Sequence, residues 1–224
     1  MGLNVKIIGI GSGLAMAMFG NTHYGIEDVA LMRAVPNLTV VCPADGAEIV
    51  KTIFASVDFP GPMYIRLTGT GLNPVVYSED YKFEIGQSVT LKNGNDVSII
   101  ATGSMVYASL AAADILSTYG IGASVVDMHT IKPLDTGAID RACKSRLIVT
   151  VEEHSIVGGL GSAVAEYLAP LSNTPKQLLI GLPDAFIKSG SYEFMMDKFG
   201  LNANKIAHRI QLELEKGRVQ SNDA

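Results

Sequence analysis

Short apolar runs, punctuated by Gly, Pro and Asp, alternate with segments of helical spacing along almost the whole chain. Residues 5–10 (VKIIGI) form an apolar run of strand type ended by glycines. Across residues 27–35 the apolar positions Val29, Leu31, Met32 and Val35 recur at helical spacing, and Pro36 closes the segment. LTVVCPAD (38–45) reads as a buried strand whose Pro43 and Asp45 mark its end and the next helix's start. Residues 47–57 are helical again and 63–67 are a third strand. This β-α-β-α-β run predicts a parallel sheet covered by helices.

TGTGLNPVVYSEDYKF (68–83) breaks that rhythm and reads as a linker before a second α/β unit. NDVSIIATG supplies a strand and turn, and Ser104 starts an alanine-rich helix that Gly120 ends. ASVVDM is the next strand, and Pro133 and Asp135 open another helix. RLIVTVEE is a strand, GGLGSAVAEYLA a helix entered through a glycine turn, and QLLIGL a fourth strand. Helical segments near 192–199 and 204–216 follow, and the polar RVQSNDA end is expected to fray. The division is then a partial first domain (1–70), a linker (71–83) and a complete second domain (84–217). A first domain of three strands leaves an apolar strand on an open edge, which invites association.

Composition narrows the function classes. The 224 residues are 48% hydrophobic and 17% charged with a net charge of −5, so the chain buries a substantial core. The absence of a basic stripe argues against nucleic acid as a partner. No apolar stretch approaches the ~20 residues of a membrane span. The run after Lys6 superficially resembles a signal peptide, but Gly9, Gly11 and Gly13 fit a buried strand and loop better. Cys42 and Cys143 match no metal or CxxC spacing and read as small hydrophobes in a reducing, cytoplasmic setting.

Candidate chemistry is sparse. GIGSGL (9–14) and GGLGSA (158–163) lie at turns but neither satisfies G-x-G-x-x-G, so tight turns and close packing are the expected use. His23 follows a glycine loop at the mouth of the first sheet, where ligands of α/β folds usually bind. Arg66 lies near the carboxyl end of the third strand, where its fork could meet a phosphate or pair with a neighbouring helix. Glu27, Asp28, Asp45 and Glu48 read as helix-start acids. His129 and His154 follow strands of the second unit and, with Glu152 and Glu153, form no metal spacing; a structural role is expected.

THYGIED, RAVPNLTVVCPADGAE and GPMYIRL, followed in order by DMHTIKPLD and VTVEEHSIVGGLGSAVAEYL, resemble the transketolase family. The resemblance covers nearly the whole chain and implies the latter part of a pyrimidine-binding domain joined to the C-terminal domain. It implies thiamine diphosphate with Mg²⁺ in the complete enzyme, and transfer of a two-carbon ketol unit between sugar phosphates. By the same resemblance His23 faces the cofactor and the two-carbon adduct, and Arg66 contacts the sugar phosphate. The family's glutamate that activates the cofactor, its aromatic pocket for the pyrimidine and its metal site precede the segment where this chain begins. The chain alone is therefore expected to bind neither cofactor nor metal and to need an N-terminal diphosphate-binding subunit or domain within a homo- or hetero-oligomer. Sugar-phosphate transketolases carry a histidine and an aspartate in the loop before Thr-His; GSGLAMAMFGN has neither. Two alternatives remain: a non-catalytic interaction or regulatory subunit, and a section of another thiamine diphosphate enzyme, of deoxyxylulose phosphate synthase or 2-oxoacid dehydrogenase β type.

Overall fold

The computed structural model describes residues 2–68 and 73–222. It contains two mostly parallel sheets. The first unit holds β1 (Lys6–Ile10), α1 (Asp28–Ala34), β2 (Thr39–Val41), α2 (Gly46–Asp58) and β3 (Met63–Leu67). β3 runs parallel between β1 and β2, with Ile8 opposite Ile65 and Val40 opposite Tyr64. The expected β-α-β-α-β run is present, and Asp45 caps α2 by accepting the N–H of Glu48 at 2.9 Å.

The second unit adds β4 (Val89–Lys92), β5 (Val97–Ala101), α3 (Met105–Thr118), β6 (Ala123–Asp127), β7 (Thr130–Lys132), α4 (Thr136–Ala142), β8 (Leu147–Ser155), α5 (Leu160–Leu168), β9 (Lys176–Leu182), α6 (Tyr192–Lys198) and α7 (Ala203–Asn222). Its sheet order is β4-β6-β5-β8-β9, with β4 antiparallel to β6 and the rest parallel. The four expected strands are β5, β6, β8 and β9. Two more escape the sequence pattern because each is short and lacks an apolar run. One is β4. The other is β7, which leaves its own unit and pairs antiparallel with β2, closing that side of the first sheet. Helix α7 also runs past the expected residue 216 to Asn222. Residues 69–72, at the start of the expected linker, lie outside the described residues. Residues 73–88 hold neither strand nor helix, yet Tyr77 is buried and its N–H bonds Asp45 at 2.9 Å.

Packing does not respect the division into units. One hydrophobic cluster joins Val29, Leu38, Val40 and Tyr64 of the first unit to Ile100, Val126, Met128, Ile131 and Leu160 of the second. At tens of cal/mol per Å² of buried apolar area, such a shared core holds the units as one body. The far side of the first sheet is different. Strand β1 is its edge, and Ile7, Ile8 and Ile10 remain 44%, 47% and 71% exposed. Lys6, the charge that could guard that edge, is folded back onto Phe59 O and Gly61 O at 2.7 and 2.8 Å.

Candidate functional site

The loop between β1 and α1 carries His23 at the carboxyl end of the first sheet, the ligand-binding end of open α/β folds. Its base is pinned by paired backbone bonds between Gly13 and Gly25, at 2.8 and 3.2 Å. Between them a 3₁₀ segment (Ala17–Thr22) turns at Gly20, whose φ of +76° suits a residue without Cβ. The second unit props this loop. Ile187 N–H donates to Asn21 Oδ1 at 3.1 Å, Gly190 N–H to Ala17 O at 3.2 Å, and Tyr24 Oη to Lys188 O at 3.3 Å.

At the tip, His23 is exposed; its Nδ1 is 2.9 Å from Thr22 Oγ1 and its ring lies 4.9 Å from that of Phe19. Phe19, the ring beside the imidazole, is itself 68% exposed. A cavity of about 400 Å³ lies elsewhere, between the Ala15 and Asn73 loops, α3 and α6; His23 does not line it. The described residues thus give His23 one wall. They do not enclose a ring the size of an aminopyrimidine.

Arg66 is not at that mouth. It is 5% exposed, and its fork is spent inside the protein: Nε on Asp28 Oδ2 at 2.9 Å, Nη2 on Gly25 O at 2.9 Å and on Glu153 O at 3.0 Å. Where the sequence led to an expected contact with a sugar phosphate, Nε and Nη2 thus bond three protein oxygens. Tyr64 Oη also reaches Asp28 Oδ2, at 2.7 Å. The carboxyl of Asp28 is held below its ordinary value: burial opposes this, but the charge and hydrogen bond of Arg66 prevail. Asp28, expected as a helix-start acid, is thus the counter-ion of a buried arginine.

Strand β8 supplies the rest of the junction. Glu153, 1% exposed, accepts from Leu14 N at 2.6 Å, Ser104 Oγ at 2.5 Å and Tyr192 Oη at 2.9 Å. Glu152 accepts from Leu160 N and Gly161 N at the start of α5, at 2.7 and 2.8 Å; burial nevertheless pushes it up to about 7. His154 is a bridge: Nδ1 donates to Ser155 O at 2.7 Å, which leaves Nε2 to accept Ala30 N–H of α1 at 3.4 Å. Burial and the nearby Arg66 charge lower it to about 4, so the ring is neutral.

These carboxylates explain the glycine motifs. A Cβ on Gly13 would collide with the Glu153 carboxylate, and one on Gly159 with that of Glu152. Gly158 meets Ala30 in the same way, at 2.6 Å. Gly13 and Gly158 serve close approach between units, and Gly159 close packing within the second. His129 and His154 are both buried, and the described residues contain no group of three or more His, Cys, Asp or Glu disposed to hold a metal. Nor is any described helix long and apolar enough to cross a membrane.

Residues 1–73 match the family described as transketolase, pyrimidine binding domain, and residues 86–206 match transketolase, C-terminal domain. The chain belongs to the transketolase family. Among curated members, it is 41% identical over 216 residues to the 6-deoxy-6-sulfo-D-fructose transketolase subunit SqwH of Clostridium sp. (strain MSTE9), covering 93% of this chain and 66% of that one. It is 40% identical over 202 residues to the 1-deoxy-D-xylulose-5-phosphate synthase of Dictyoglomus turgidum, covering 89% of this chain and 33% of that one. A solved structure described as "Split gene transketolase, inactive beta4 tetramer" superposes with a TM-score of 0.82 at 38% identity, over 94% of this chain and 66% of the other. This transketolase-family chain therefore spans about two thirds of the SqwH subunit and of the split-gene structure, and a third of the synthase.

Proposed function

We propose that this chain forms the pyrimidine-binding and C-terminal portion of a two-component transketolase, which moves a two-carbon ketol unit between sugar phosphates. The reading rests on one observation above the others. A Thr-His pair is presented, exposed and one-walled, on a loop pinned at Gly13 and Gly25 and propped by the second unit. A site built that way needs a second surface to become a pocket. The similar relative named as a transketolase subunit supports a partner in that role. In this reading the chain alone is inactive, and the partner holds the diphosphate and Mg²⁺ and completes the site over His23. Thiamine diphosphate, once bound, supplies the carbon nucleophile that carries the ketol unit. The chain's own residues orient: His23 hydrogen-bonds the transferred unit, and the Arg66–Asp28 pair holds the loop base in place through Gly25 O.

Titration of thiamine diphosphate with Mg²⁺ into the chain, alone and with the diphosphate-binding subunit, tests this. Binding and ketol transfer only in the mixture support it; turnover of a ketose phosphate by the chain alone overturns it. The 40% identity to a deoxyxylulose phosphate synthase favours a second reading, in which the donor is pyruvate. Offering pyruvate and a ketose phosphate to the same mixture separates the two.

A further inference from the structure

A second polar junction, away from His23, joins both units and the segment between them. Asp127 ends β6 and Glu48 opens α2; both are 0% exposed. Tyr77 and Tyr81, from the connecting segment, stack with centroids 3.8 Å apart. Tyr77 Oη donates to Asp127 Oδ2 at 2.7 Å, and Tyr81 Oη to Glu48 Oε1 at 2.9 Å. The other Glu48 oxygen accepts Ala44 N–H at 2.7 Å. Asp45 lies beside them, its oxygens taken by the N–H groups of Glu48, Val76 and Tyr77.

Among the described residues no cation balances this group. The Lys51 ammonium sits over the outer tyrosine, 5.0 Å from the Tyr81 centroid, and pairs with Asp80. Among the described residues no ion pair includes Asp45, Glu48 or Asp127. Among the described residues Asp127 Oδ1 has no hydrogen-bond donor in reach, and the stacked tyrosines that bond Asp127 and Glu48 bring the two carboxyls together. Two ionised carboxylates are acceptors only and repel in a dry site. One proton turns the repulsion into a short, charge-assisted bond and gives the orphan oxygen a role.

We propose that Glu48 and Asp127 hold one proton between them, closing the three-way seam with a carboxylic acid–carboxylate bond that opens when the proton is lost. Burial raises both groups, and the Glu48 charge raises Asp127 further. A group raised on folding contributes stability that is complete below the ordinary carboxylate value, about 4, and lost as pH climbs through the folded value. The device therefore loosens as pH rises.

The test is denaturant unfolding of the full chain from about pH 5 to pH 9. Asp127→Asn mimics the protonated acid without titrating. It should flatten the wild-type fall in stability by about one proton's worth of slope. Glu48→Gln should do the same, and serves if the Asp127 variant does not fold. Infrared spectroscopy in D₂O gives an independent readout on the wild type: a carboxylic-acid carbonyl band at neutral pH, part of which disappears in either variant. Glu152→Gln controls for the other raised acid and should keep that part. Parallel slopes in wild type and variants, or no acid band at neutral pH, overturn the proposal.

Discussion

Leu14 and Glu153 meet across the junction of the two units, the backbone N–H of one donating to the carboxylate of the other at 2.6 Å. The bond fixes the first turn of the His23 loop to a strand more than a hundred residues away. Ser104 and Tyr192 hold the same carboxylate, so it ties the loop to α3 and α6 as well.

Glu153→Ala strips three buried donors of their acceptor at once. A loss of about 2–4 kcal/mol is expected, more than any single neutral hydrogen bond contributes. Urea unfolding of the variant against wild type measures it; a loss below ~1 kcal/mol would mean that solvent replaces the carboxylate.

Gly13→Ala tests the same contact from the other side. The residue sits at φ +66°, and an added Cβ would strike the Glu153 carboxylate. Gly2→Ala, where nothing lies within 4 Å, is the control. The first should lower the thermal midpoint by several degrees and the second leave it unchanged.

His23 and Arg66 should separate cleanly. His23 is exposed and bonds only Thr22 and Gly20 through its ring and N–H, so His23→Ala should leave unfolding unchanged. In the assembled enzyme it should cost about 100-fold or more in kcat. Arg66→Ala breaks a buried ion pair and should destabilise the chain itself by about 3–5 kcal/mol. Equal effects of the two on stability would refute the division of roles.

Acid should unlock the other interdomain link. His154 and His129, lowered by burial to about 4, are ordinarily neutral. Groups lowered on folding contribute stability that is complete above about 6.5 and lost as pH falls through the folded value. For His154 the physical event is specific: a protonated Nε2 can no longer accept the N–H of Ala30. The histidine contribution should therefore decline between about pH 6.5 and pH 4, against the opposite trend of the raised carboxyls, and the stability difference between wild type and His154→Gln should shrink across that window. An unchanged slope in that variant would assign the decline to other groups.

Much of this architecture was legible in the sequence because local signals and tertiary structure agree. Pro36, Asp45, Gly120 and Asp135 delimit helices where they were expected to. The misses share one cause. β7 has three residues and is a strand only because β2 offers it an edge, and β4 likewise depends on β6. The burial of Arg66 was hidden because position on a strand does not reveal how deeply a side chain is covered. Its partners lie 38 and 87 residues away in sequence, at Asp28 and Glu153. The paired acids at 152–153 beside two glycines were the available sign of a close junction, legible only once packing was considered.

The antiparallel pairing of β7 with β2 bears on how such a gene can be divided. The family boundaries at residues 73 and 86 invite a cut between them. A fragment ending there would lose Thr130–Lys132 and leave β2 as raw an edge as β1, with Val40 and Val41 stripped of cover. The two halves are modular in ancestry but not in mechanics, and a split at that point should yield insoluble pieces that regain solubility only when produced together.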